Sequence, residues 1–392
     1  MKTGKLFIIV IIGSYTGVLR SARVPIYGST GIGDVTPLAH LILSLFGNEM
    51  RPVKGETLPL IAQSSITTAL SAFALHDLKI LLDEFTALAS LDVEAFVANP
   101  SPYHPMLAKF RRFSGYKNAL DKINYCLQGS NLLHPGFKQR HLQSPLSFRC
   151  LAIVLGNAFD CLKYCERQVC TELNSHQQNP LILHESDIML PCAHFDMQNI
   201  SSAMDFARIA LAPVLTTQVE RSIKLLQASQ TGLSDGLEPY NYNGGCGLSE
   251  FAFTIQALLA EARSLIAPVS AEICSSMAAE GIEDRMTMAS LSARRLQKMV
   301  NLSFMIGSIS AVISCQAIDL RGEGCILGQN TLKLKKCIRN IIPLMGQNDS
   351  PPSNLEKLTN RLKTGYLSKS IRMDECQNII TVEEHYNLKS NL

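Results

Sequence analysis

The sequence has no tryptophan, few aromatic residues and little charge: of its 392 residues, 6% are Phe or Tyr and 18% are Asp, Glu, Lys or Arg. With 46% hydrophobic residues, this scarcity of charge excludes a disordered or solvating chain and points to a compact protein with much buried helix surface. The net charge is only +3 and the basic residues are scattered, so the field that draws proteins to nucleic acid or anionic lipid is missing. Neither a nucleic-acid nor a membrane partner is expected. The sequence also lacks any CxxC pair. Its twelve cysteines run from Cys126 to Cys376, and a chain of this length needs no disulfide staples, so a reduced, cytoplasmic protein is expected. Cys161, Cys165 and Cys170 fall on one predicted helix and read as small buried residues, and no metal site is expected. Strand-period runs, solenoid repeats and low-complexity tracts are all missing.

What is present is helical. Lys2 and Lys5 precede the apolar run Leu6 to Ile12, which is too short to span a bilayer and is followed by a poor cleavage site. Residues 1–23 therefore read as a helix cut at its start or a weak signal-like segment. A helix is expected over 34–47, with Thr36 as cap, Pro37 in the first turn, Leu38, Leu41, Ile42 and Leu45 on one face, and Gly47 ending it. Residues 57–84 are apolar almost all round, as in a helix buried on several sides. Pro100, Pro102, Pro105, Gly129 and Pro135 break 99–141 into short helices and loops. Long helices follow over 147–173, 199–230 with a kink at Pro213, 248–267 and 287–320. Near the end, Ser353 and Glu356 have capping-box spacing and Gly365 is placed to stop the helix between them. This gives a main body over 24–365 and a polar tail over 366–392.

Several segments resemble, in order, those of the aromatic amino acid ammonia-lyases, the family of histidine and phenylalanine ammonia-lyase. Val24 to His40 (VPIYGSTGIGDVTPLAH) resembles the prosthetic-group loop, which in that family reads GSxGASGDLxPLAH. Ser147-Phe148-Arg149-Cys150 resembles YSLRC, and Gln178-Asn179-Pro180-Leu181 resembles DNPL. Glu283-Asp284, Met288-Ala289 and Ala293 to Leu296 resemble QEDHVSMAxxxARRL, and Gln316 to Asp319 matches QAID. The resemblance implies an all-α, fumarase/aspartase-like long-helix bundle, assembled as a tetramer whose active sites each draw on three subunits. It further implies elimination of ammonia from an aromatic amino acid by a methylidene-imidazolone, made when Ala-Ser-Gly cyclises and the serine loses water.

That chemistry needs an electrophile, a base and a carboxylate anchor in fixed geometry. The loop here is one residue shorter, Gly31-Ile32-Gly33, and no side chain between the glycines carries a β-oxygen to eliminate, so the methylidene-imidazolone is expected not to form. A shifted register, Ser29-Thr30-Gly31, would place a β-methyl on the attacked carbon. Ala62 stands for the asparagine of the family's Asn-Gly-Thr segment, Leu146 for the tyrosine of YSLRC, and the base tyrosine of the family's first segment has no counterpart. Other positions match: Arg149 for the substrate carboxylate, which a guanidinium grips bidentately, with Gln143, Asn179 and Phe195 as further substrate-binding residues and Glu283 as the remaining catalytic acid. Each also has a structural explanation: Arg149 can pair with a buried acid, and Asn179 can cap a turn. The losses at the loop point to a scaffold kept without its elimination chemistry. The alternatives are a noncatalytic amino-acid-binding or partner subunit, in a homotetramer or with an active homologue, half of a split lyase, and a different lyase reaction using a new ionisable pair, for which His194, Asp196 and Arg285 are candidates.

Overall fold

A computed structural model describes residues 7–8, 22–46, 53, 57–138, 140–183, 185–239, 246–271, 279–322, 327–346 and 352–373. Gly47, most of residues 1–23 and the tail past 373 lie outside the described residues, and with them the helix stop, the signal-like segment and most of the polar tail expected from sequence. The described chain is dominated by helices. In order they are α1 (Val35–Phe46), α2 (Thr57–Ile61), α3 (Ser65–Phe96), α4 (Leu107–Phe110), α5 (Ser114–Leu127), α6 (Leu146–Arg149), α7 (Leu151–Leu173) and α8 (Gln198–Leu226). Then come α9 (Ala228–Thr231), α10 (Glu250–Arg263), α11 (Ala289–Arg321), α12 (Gln329–Arg339), α13 (Leu355–Leu362) and α14 (Tyr366–Ser370). Two antiparallel pairs complete the set: β1 (Phe7–Ile8) with β2 (Ala22–Arg23), and β3 (Leu181–Leu183) with β4 (Ile188–Leu190).

Several expectations are corrected. The single helix expected over 57–84 is two, because Ala62 to Ser64 leave the helix and α3 starts afresh and runs on to Phe96. Tertiary capping forces the break: the Ser64 amide donates to Gln177 Oε1 at 3.1 Å, and the Asp34 carboxylate takes the Thr67 amide and hydroxyl, each at 2.7 Å. Asp34, not Thr36, stands at the start of α1, its carbonyl accepting from the Leu38 amide at 2.8 Å. The β3–β4 hairpin escaped the sequence because three-residue strands are too short to display a period of two. The capping box at Ser353 does not form: Asn354 precedes α13 and its side chain makes no cap bond. Gly365 does end α13, with φ of +72°, but α14 follows at once, with Leu367 fully buried, so the tail starts as packed helix.

The chain divides into two compact units. The first holds 1–75, 164–206 and 267–297, and packs Val24, Leu38, Leu41 and Ile66 together, with Ile61 and Leu70 against them. The second holds 76–163, 207–266 and 298–392. Its core contains Leu81, Leu88 and Leu91 of α3, Phe304, Ile306 and Ile313 of α11, and the Phe96 and Phe148 rings stacked 4.4 Å apart. α11 is long and apolar enough to cross a bilayer by length and composition, yet its most apolar stretch is 83% buried, as in a core helix.

At the centre of the second unit lies a buried polar network. Asp92 Oδ2 accepts from Arg221 Nε and Gln218 Nε2, each at 2.8 Å, and its Oδ1 accepts from the Ser314 hydroxyl. Arg221 also donates to Gln218 Oε1 at 2.6 Å and to the Ser147 carbonyl at 3.1 Å. A buried charge left without its counterion is costly even where the intact pair gains little. Asp92→Ala is therefore expected to lower stability by about 3–5 kcal/mol, with Arg221 stranded, whereas truncating an exposed ion-pair partner such as Glu261 should cost under about 1 kcal/mol. Urea unfolding midpoints at unchanged slope check the contrast, and equal losses would contradict it.

Candidate functional site

The glycine-rich loop before α1 is tied down on both sides within the first unit. Ile32 forms an isolated antiparallel bridge with Asp196, and the Met197 amide donates to the Gly31 carbonyl at 3.2 Å. From the segment leading into α11, the Thr287 hydroxyl donates to the same carbonyl at 2.7 Å, the Met288 amide to the Thr30 carbonyl at 2.7 Å and the Ser290 hydroxyl to the Ser29 carbonyl at 2.9 Å. Within the loop, Ser29 Oγ accepts from the Gly31 amide at 3.2 Å. Tyr27, at the loop's entry, is 88% exposed, and the Arg294 guanidinium lies 4.7 Å from its ring centre. Asp34, which ends the loop, is fully buried and spends its carboxylate on the first turn of α3.

Two of the replacement candidates converge beside this loop. Arg285 Nε donates to Asp196 Oδ2 at 2.8 Å, and Arg285 Nη2 to Gln198 Oε1 at 2.9 Å, so a partly exposed ion pair sits on the residue that bridges Ile32. His194 is exposed, without a described role in the pair. Thr287 and Gln198 were not among the residues singled out from the sequence. The signal for Thr287 was available, since it keeps a hydroxyl where the resembled motif QEDHVSMA has serine, while Gln198 offered none.

The remaining candidates fall into two groups. In the first unit, Asn179 Oδ1 accepts from the Cys192 amide at 2.9 Å, so its side chain fastens the base of the β3–β4 hairpin. Phe195 is half-buried, and its carbonyl accepts from the Ser64 hydroxyl at 3.0 Å. Glu283 is exposed, two residues before Arg285, beside the 83%-exposed Ile282. A polar depression of about 240 Å³ opens in the same unit, lined by Gln63, Ser65, Thr68, Glu172, His176 and Gln177. In the second unit, Gln143 is exposed, and Arg149, at the end of the short α6, is half-buried. Arg149 Nε is buried without a hydrogen-bond partner, and the paired acid expected of a purely structural arginine is absent among the described residues.

The Gly31-Ile32-Gly33 step lacks the leaving group from which the family's prosthetic group is made. Even a cyclised Gly31-Ile32-Gly33 would carry the saturated sec-butyl side chain of Ile32 where the ring needs a methylidene carbon, because Ile32 has no β-heteroatom to leave. Nor do the described residues hold any cluster of three metal-ligating side chains. What the loop does is pack. A Cβ on Gly31, whose φ is +88°, would lie 2.1 Å from Thr287 Oγ1 and 2.8 Å from the Ala289 amide nitrogen, whereas at Gly33, with φ of +100°, its nearest neighbour would be 3.8 Å away. Gly33→Ala is expected to cost about 1–2 kcal/mol of backbone strain, and Gly31→Ala that amount plus about 1–3 kcal/mol of overpacking. Thermal or urea unfolding of the two variants checks the order, which a loop free to move would erase.

Comparison with known proteins bears on the family and the fold. Residues 49–340 match the family model described as aromatic amino acid lyase. The chain is 26% identical over 374 residues to histidine ammonia-lyase from Symbiobacterium thermophilum, covering 89% of this chain and 72% of that protein. Among solved structures, histidine ammonia-lyase from Trypanosoma cruzi superposes with a TM-score of 0.81 at 20% identity, over 95% of this chain and 75% of that one. Ergothionase from Treponema denticola does so with a TM-score of 0.79 at 25% identity, over 92% and 74%. With the family model matched across most of the chain and the helical fold shared, the protein belongs to the aromatic amino acid lyase family.

Proposed function

We propose that this family member has lost ordinary ammonia elimination and serves as a carboxylate-binding homologue of the active lyases. The observation that carries this is Ile32: the residue between the loop glycines has no group to eliminate, and the backbone around it is engaged in packing contacts. Ammonia is a poor leaving group, and without an electrophile to accept electron density a base alone cannot drive the elimination at a useful rate. The loop is held in place by packing, as the buried Asp34 and Thr287 contacts illustrate.

Arg149 supports the binding half of the reading. A guanidinium with a buried, unpartnered Nε is costly unless an anion completes it, and an amino acid carboxylate has the matching bidentate geometry. A self-association role is favoured by the β3–β4 hairpin, in which Ile182, Leu183, Ile188, Met189 and Leu190 are all exposed; an oligomer, either of this chain alone or with an active homologue, would cover them. The free thiols, several of them partly exposed, fit a reducing cytoplasm.

Intact mass of the purified protein is expected to equal that of the unmodified sequence, with no absorbance from a methylidene-imidazolone and no ammonia released from histidine, phenylalanine or tyrosine. A mass deficit corresponding to cyclisation and dehydration, together with ammonia release, would overturn the proposal. Calorimetry should show one of these amino acids binding without turnover, and Arg149→Met should weaken that binding at least about tenfold, the loss of one charge-assisted pair. Silence for all three amino acids would leave the loss of elimination standing and remove the binding role.

A further inference from the structure

Two acids of α3 take no part in the site. Glu84 and Glu94 lie in the second unit, 0% and 1% exposed, and each is directed at the start of a helix from the C-terminal part of the chain. Glu84 Oε1 accepts from the Ser368 amide at 2.7 Å and its Oε2 from the Leu367 amide at 3.2 Å, the first turn of α14. Glu94 Oε1 accepts from the amide of Gly328, the residue before α12, at 2.8 Å. Its Oε2 is buried with no partner among the described residues, an arrangement far easier for a neutral carboxyl than for a carboxylate.

The charges around them do not compensate. Asp83, next to Glu84, is bound to Lys122 of α5 at 2.8 Å, and its own charge repels a second carboxylate. On α14, Lys369 Nζ is turned to the Thr364 carbonyl at 2.7 Å, and on α13 Arg361 lies over the Tyr366 ring. α11 carries no Asp, Glu, Lys or Arg between Lys298 and Asp319. Near Glu94, Arg321 donates its Nε to the Ala95 carbonyl at 2.6 Å, and Lys333 of α12 reaches Asn330 Oδ1. The Ser130 and Thr331 hydroxyls at Glu94, the Ser368 hydroxyl at Glu84 and the backbone amides at the helix starts favour the charged form, but burial without a facing cation outweighs them and pushes each carboxyl up to about 7.

We propose that Glu84 and Glu94 are proton-controlled latches that hold α12 and α14 against α3, closed while the two carboxyls are protonated and loosened when they ionise. An undocked segment returns each carboxyl to water, where it ionises near 4.5, while the docked segment keeps its proton to about 7. The docked form thus binds more protons in that interval. Its stability is fully present below about pH 4.5, falls as pH rises toward about 7, and changes no further above that.

Hydrogen exchange of the full chain, read by mass spectrometry on peptides covering 327–339 and 355–373 and normalised for intrinsic exchange, tests this. Between about pH 5.5 and about pH 8 the protection of these peptides is expected to fall at least about tenfold, while peptides from the middle of α11 hold theirs. In the Glu84→Gln, Glu94→Gln double variant the fall should vanish, since glutamine is a permanently neutral stand-in. An infrared titration of the unaltered protein gives a reading independent of the variant's folding. A buried carboxylic acid carbonyl band present at about pH 5.5 and lost by about pH 8 supports the latch. Absence of that band, flat protection in the unaltered chain, or a fall that persists in a folded double variant would overturn it.

Discussion

The Asp34 carboxylate joins the glycine-rich loop to the first turn of α3. Fully buried, it would be a liability unless both oxygens were satisfied, and Thr67 satisfies both, one through its amide and one through its hydroxyl. The amide is one of the orphan donors of α3, so the same contact that neutralises a buried charge also starts a 32-residue helix. The Asp34 amide in turn donates to the Gln63 carbonyl at 2.7 Å, fixing the short break between α2 and α3. With Asp34 fixed, Gly33 and Gly31 are fixed, and the loop presents its carbonyls to Met197, Thr287, Met288 and Ser290.

This arrangement holds the loop by its backbone. The contacts that hold it run through main-chain carbonyls and the two glycines, and none of them uses the side chain of the residue at position 32. Ile32 brings no leaving group to the loop, while Gly31 accepts from two donors and Asp34 caps α3. The Asp196–Arg285 pair adds a side-chain clamp on the far strand of the bridge, 2.8 Å between charged atoms and only partly exposed. In water such a pair would contribute little, but here its partners are already positioned by backbone pairing, so less side-chain freedom is lost in forming it.

Much of the helical order was legible because long amphipathic or all-apolar stretches carry their own period: α11 lies within two residues of expectation at both ends, and α8 starts within one residue of it but stops at Leu226, four residues early. Boundaries set by distant groups were not legible. The start of α3 depends on Gln177 and Asp34, residues 113 and 33 positions away from the groups they cap, and no local signal at Ala62 to Ser64 reports them. The capping box at Ser353 failed in the opposite sense: the local spacing was right, yet α13 opens after Asn354 without a side-chain bond. At the site, the motif residues around Gly31 were readable from resemblance, and Asp196 and Arg285 were readable as replacements, but that they meet follows only from the folding of three segments onto one another. Asn179 shows the limit of motif matching, since its amide fastens a hairpin that the sequence did not reveal.

Buried acids separate the two units in a way that bears on what each is for. In the first, Asp34 meets donors on both oxygens, and Asp205 takes the Val269 and Ser270 amides and the Ser292 hydroxyl, so each carboxylate is answered by fixed dipoles. In the second, Asp92 meets a full guanidinium, an amide and a hydroxyl, while Glu84 and Glu94 meet only neutral donors: the Leu367 and Ser368 amides and the Ser368 hydroxyl for the first, and the Gly328 amide with the Ser130 and Thr331 hydroxyls for the second, whose Oε2 lacks a partner of its own. The pairing differs accordingly: Asp92 has a guanidinium beside it, whereas Glu84 and Glu94 have only neutral donors, and burial raises both. A core that needed only rigidity would place apolar side chains at those two positions, since hydrophobic replacements of buried polar groups are often neutral or stabilising. Retaining carboxyls without a facing cation makes the attachment of α12 and α14 conditional on protons, whereas Asp92 ties the end of α3 to α8 and α11 through an ion pair, an amide and a hydroxyl.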